Sequence, residues 1–89
     1  MAPKTKRNIE DWVATAIRTE FDLAGDAAEE ITTTYEHNQG DYERIRAHLP
    51  GVPIEADERY AHAVAGYTVR FEILDTDGDD DYLLRVRID

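Results

Sequence analysis

Five aspartates, Asp75, Asp77, Asp79, Asp80 and Asp81, crowd around the single glycine Gly78. Carboxylates this close repel one another and attract positive charge: a hard cation, concentrated salt or a basic protein surface. The alternation Asp75-Thr76-Asp77-Gly78-Asp79 is similar to the start of a calcium loop, but the register fails. An EF-hand needs glycine at its sixth position and glutamate at its twelfth. Counting from Asp75, Gly78 is fourth and the twelfth residue is Val86. A solvated turn is the plainer expectation, with no dedicated metal site.

Other chemistry is poorly supplied. The chain has no cysteine and no serine, which excludes disulfides, thiolate metal ligands and the commonest nucleophiles. His37, His48 and His62 are scattered without a His-x-x-x-His pair. The first two fall near the ends of expected helices, where the dipole favours a cation. The five glycines mark turns and form no phosphate-cradling loop. No catalytic residue and no cofactor is expected, and the chain reads as non-enzymatic.

Charge is the dominant signal. Twenty carboxylates face ten lysines and arginines in 89 residues, for a net charge of −10. Residues 1–7 carry both lysines and one arginine, and every later cation is an arginine. The first seven residues read as a flexible basic arm and residues 8–89 as one α+β domain. No run approaches the roughly 20 apolar residues of a membrane span, and no apolar stretch follows the basic start to make a signal peptide. The expected location is cytoplasmic.

The elements that must position these charges follow from periodicity. Ile9, Trp12, Val13, Ala16, Ile17 and Phe21 recur at three and four, which predicts a helix from Asn8 to about residue 21. Asn8 stands at its cap, with Glu10 and Asp11 in the first turn. Asp26 and Glu29 have the spacing of a capping box, predicting a second helix to about Asn38 despite the β-branched run Thr32-Thr33-Thr34. Asp41 opens a third, with Tyr42, Ile45 and Leu49 inward and Pro50-Gly51 as its stop. Residues 60–66 fit either a helical turn or the lead into a third short strand.

At the C-terminus Tyr67, Val69, Phe71 and Ile73 alternate with polar residues, as do Tyr82, Leu84, Val86 and Ile88. Centring a two-residue turn on Asp77-Gly78 pairs Phe71 with Leu84 and puts the large apolar residues on one face. Arg70, Arg85 and Arg87 then share the other face with Glu72. The expected fold is three helices packed on one face of a C-terminal antiparallel hairpin, the element order of a winged helix. The charges oppose DNA binding, because the third helix begins Asp41-Tyr42-Glu43 and the would-be wing tip holds five carboxylates.

On a helix of about 5.4 Å pitch, Asp26, Glu29, Glu30 and Glu36 space negative charge much as a nucleic-acid backbone does. Joined to Asp41, Glu43 and the hairpin tip, they would form an anionic ridge. The leading expectation is a small inhibitor or regulator that occupies the basic groove of a nucleic-acid-handling protein, without touching nucleic acid or membrane itself. Its partner-binding residues would be Asp75, Asp77, Asp79, Asp80, Asp81, Glu29, Glu30, Glu36, Asp41 and Glu43. Size and charge are similar to those of phage-borne inhibitors of restriction or CRISPR systems, DNA mimics directed against host defence. That is an analogy only, with no shared motif. The alternative is an accessory or structural domain of a halophile or high-GC organism, acidic for solubility, with a homodimer as one of its forms. A winged-helix DNA binder is the third.

Overall fold

The computed structural model describes residues 2–89. Met1, the first residue of the expected basic arm, lies outside the described residues. Seven elements follow in order: α1 (Lys6–Glu20), α2 (Asp26–Glu30), β1 (Thr32–Asn38), β2 (Glu43–His48), β3 (Arg59–Val64), β4 (Tyr67–Thr76) and β5 (Asp81–Ile88). The five strands form one antiparallel sheet in the order β1-β2-β5-β4-β3, and α1 lies across one of its faces. The fold is therefore one 15-residue helix and a five-residue helix on a five-stranded sheet, not three helices on a hairpin, and strands β1 and β2 stand where the helix–turn–helix was expected.

The first helix forms for the expected reason. Ile9, Trp12, Val13, Ala16 and Ile17 make one apolar stripe and are all buried. Its start lies three residues earlier than Asn8: Thr5 is the cap, and its hydroxyl accepts the backbone N–H of Asn8 at 3.1 Å. Lys6 and Arg7 of the basic segment belong to the helix, and Lys4 Nζ donates to the Ile88 carbonyl at 2.9 Å.

The expected second helix stops after five residues because the threonine run prefers a pleat. Thr33 and Tyr35 turn toward α1, while Thr32 and Thr34 face solvent. His37 to Gly40, read as the turn between two helices, lies at the β1–β2 hairpin instead. The expected third helix is β2, where buried Ile45 and Ala47 alternate with Arg44, Arg46 and His48. Tyr42, Ile45 and Leu49 suit a helical stripe, but Ile45, Ala47 and Leu49 suit a strand equally well, and the sheet offers the larger partner. Residues 59–64 supply the third of the C-terminal strands, β3.

The C-terminal hairpin forms in a different register. Phe71 faces Val86 and Ile73 faces Leu84, after which a bulge follows Ile73 and Asp75 faces Leu83. The loop is wider than the two-residue turn, with the Asp77 N–H donating to the Asp81 carbonyl at 2.8 Å. Up to Ile73 the partners move by two residues, so those side chains keep their faces; beyond the bulge the shift is three. Val69, Phe71, Leu84 and Val86 close the core against Val13, Ile17, Ile45 and Leu49, and the β2–β3 connection adds Val52 and Ile54.

Candidate functional site

The pairing register gathers charge at one end of the sheet. Thr32 of β1 faces His48 of β2, His48 faces Asp81 of β5, and Tyr82 faces Thr76 of β4. The short α2 feeds β1 at this end, and the aspartate-rich hairpin loop leaves it. Asp26, Glu29 and Glu30 therefore share one pole with Asp75, Asp77, Asp79, Asp80 and Asp81. The connection that carries Glu55, Asp57 and Glu58 also starts here, anchored by the Leu49 N–H on the Asp80 carbonyl at 2.7 Å.

Arg18 reaches the α2 side of this pole, its Nε donating to the Ala28 carbonyl at 2.9 Å, and Arg46 and His48 reach the hairpin side. Arg46 Nη1 lies 3.1 Å from Asp77 Oδ2, and His48 Nδ1 lies 2.7 Å from Asp81 Oδ1. His48 thus has a carboxylate partner on a strand, not a helix end. Asp75 accepts the Thr76 N–H at 2.8 Å. Glu29, Glu30, Asp79 and Asp80 make no ion pair among the described residues.

By strand register, seven of the ten residues expected to meet a partner lie toward this end of the sheet, and three do not. Glu36 sits at the β1 bulge, not on a helix beside Glu29, and contacts Arg46 at 3.0 Å and Arg44 at 3.8 Å. That hydrogen bond, with the Glu36 charge and weaker help from Asp77 and Asp81, holds Arg46 above its ordinary range against slight desolvation. Glu43 accepts from the Tyr35 hydroxyl and from Asn38 Nδ2. Burial first, and the Glu43 carboxylate second, push the Tyr35 hydroxyl up to about 12. Asp41 lies 3.8 Å from Arg85. A single ridge running from residue 26 to residue 81 does not form, because Glu36 and Asp41 pair with arginines and Glu43 is taken up by Tyr35 and Asn38.

The sheet face turned away from α1 is the surface the sequence only partly revealed. Arg70, Arg85 and Arg87 lie on it with Glu72, as the alternation predicts, and Arg44, Arg46 and Arg59 join them through their cross-strand partners. Six of the eight arginines thus share one face. The missed signal was the two-residue alternation of Arg44, Arg46 and His48 with Ile45, Ala47 and Leu49. Four of these arginines, Arg59, Arg70, Arg85 and Arg87, line a concavity of about 580 Å³ with Glu72 and Asp89.

His62 Nε2 lies 2.8 Å from Glu20 Oε1, which ties β3 to the end of α1. No three histidines or carboxylates converge as metal ligands among the described residues, and no helix there is long and apolar enough to cross a membrane. Fold and surface define a small α+β domain with one acidic end and one arginine-rich face. Compared with protein-family models, curated proteins and solved structures, the chain matches none of them.

Proposed function

We propose that the chain is a small non-enzymatic binding module whose acidic pole occupies the basic groove of a nucleic-acid-handling protein in the cytoplasm, and so blocks or regulates it. One observation supports this above the others: α2 and the β4–β5 loop, 45 residues apart along the chain from Glu30 to Asp75, bring their carboxylates to the same end of the sheet. Glu29, Glu30, Asp75, Asp79 and Asp80 make no ion pair among the described residues. A basic groove would relieve that repulsion and be drawn to it from a distance. Asp77 and Asp81 contribute less, since Arg46 and His48 already compete for them.

The test is competitive capture. The immobilised protein should retain a basic nucleic-acid-binding protein that both added DNA and rising salt displace. The Asp79→Lys/Asp80→Lys double variant should lose it. Equal capture by that variant, or capture that DNA does not disturb, would discard the idea.

A second reading draws support from the open face, where Glu36, Asp41, Glu72 and Asp89 are interleaved with arginines. Mixed charge of this kind suits a salt-adapted accessory domain whose acidity serves solubility. Such a protein would depend on molar salt to fold, which separates the two readings.

A further inference from the structure

We propose that the open face of β3, β4 and β5 carries an anion site in which Arg70, Arg85 and Arg87 hold a phosphate group. Arg44 stands directly opposite Arg85, and Arg70 directly opposite Arg87. Like charges across a strand pair destabilise a sheet unless a shared counter-charge lies between them. In a chain with two carboxylates for every cation, these four residues nevertheless face one another.

The donors are largely unspent. Each guanidinium has five N–H groups. Arg70 gives its Nε to Asp89 at 3.2 Å, and Arg59 Nε lies 3.1 Å from Glu72 Oε2 as an ion pair. Asp41 is 3.8 Å from Arg85, too far for a hydrogen bond, and Arg87 makes no ion pair among the described residues. Arg85 is also held in place: its guanidinium stacks 4.7 Å from the centre of the Tyr42 ring.

The spacing selects the ligand. The Cα atoms of Arg85 and Arg87 are two residues apart on one strand, roughly 6.7 Å, and that of Arg70 is about 5 Å from that of Arg87 across the ladder. Three forked donors rooted this close together can converge on the several oxygens of a phosphate; a carboxylate has only two. Charge agrees. The concavity sets four guanidinium groups against the side chains of Glu72 and Asp89, an excess of positive charge that suits a phosphate dianion. This site lies on residues separate from the acidic pole and does not depend on what that pole binds.

The experiment follows the arginine Nε–Hε signals of the full chain by NMR while sodium pyrophosphate is added at constant ionic strength. Arg70, Arg85 and Arg87 should shift together and saturate, with a midpoint of about a millimolar or below, while Arg18 stays still. Arg87→Lys keeps the charge but removes the fork, and should weaken binding several-fold. Arg85→Gln/Arg87→Gln should weaken it about tenfold or more. The Asp79→Lys/Asp80→Lys variant should bind pyrophosphate at the same three arginines. A short oligothymidylate forms a second arm: saturation below the pyrophosphate midpoint identifies a nucleic-acid backbone as the source, and saturation above it a free phosphate compound. Shifts that never saturate, that appear equally at Arg18, or that poly-glutamate reproduces at the same midpoint would overturn the proposal.

Discussion

Glu10 of α1 reaches the edge of the sheet and accepts the backbone N–H of Tyr35 at 2.7 Å. Its own carbonyl accepts the Thr33 hydroxyl at 2.8 Å. β1 is an edge strand, so the Tyr35 N–H has no further strand to pair with. A helix residue thereby closes part of the edge and fixes the helix on the sheet.

Glu10→Ala should therefore lower unfolding stability by about 1–2 kcal/mol, as expected for a partly buried hydrogen bond to a charged group. Urea titration followed by Trp12 fluorescence would measure it. A loss within about 0.3 kcal/mol would mean that the edge is satisfied by solvent instead.

The Tyr35 hydroxyl predicts an alkaline effect. Its pKa is raised in the folded protein, from 10.0 to about 12. The folded state therefore keeps its proton after the unfolded state has lost it, and stability drains away as pH rises through this window. The contribution is complete below about pH 10. Tyr35→Phe should cost about 1 kcal/mol near neutral pH, and the gap between the two proteins should close by about pH 12. A gap that stays constant to that pH would contradict the assignment.

Ala65 holds φ 54° beside Gly66 at φ 85°, in the two-residue turn between Val64 and Tyr67. Both central positions of this turn require left-handed backbone, which a Cβ resists and asparagine tolerates. Ala65→Asn should raise unfolding stability by about 0.5–1 kcal/mol, and the thermal midpoint with it. A thermal melt that fell instead would point to a relaxed turn.

Asp79 and Asp80 have no ion-pair partner among the described residues, so their charge should not hold the fold together. Asp79→Asn/Asp80→Asn should leave stability within about 0.5 kcal/mol of the parent, on the favourable side, because repulsion at the pole is reduced. A loss above about 1 kcal/mol would give the loop a structural role.

Salt provides the fifth check. The ion pairs lie at least partly exposed and are worth little each, while screening relieves the crowded pole. The protein should be fully folded at about 0.1 M potassium chloride and gain only a few degrees toward molar salt. Failure to fold at low salt would favour the salt-adapted reading over the groove-binding one.

How much of this was legible in the sequence depends on how local the cause is. The first helix, the alternating faces of β4 and β5, and the aspartate-rich tip all follow from patterns within about twenty residues. Arg70, Arg85 and Arg87 could be assigned to a common face on the same basis. Residues 32–48 could not be assigned by pattern alone. Tyr35 and Ile45 fit a helical stripe or a pleat, and only the open edge of β5, waiting to pair with β2, decided between them. The hairpin register turned on a bulge after Ile73 that no residue type announces. The placement of Glu29 and Glu30 at the same end of the sheet as the tip, and of Arg44 and Arg59 on the face of the other arginines, likewise needed the sheet. Side-chain periodicity is a property of one strand, whereas strand order is chosen by which pairings bury the most apolar surface together, and that choice belongs to the whole chain.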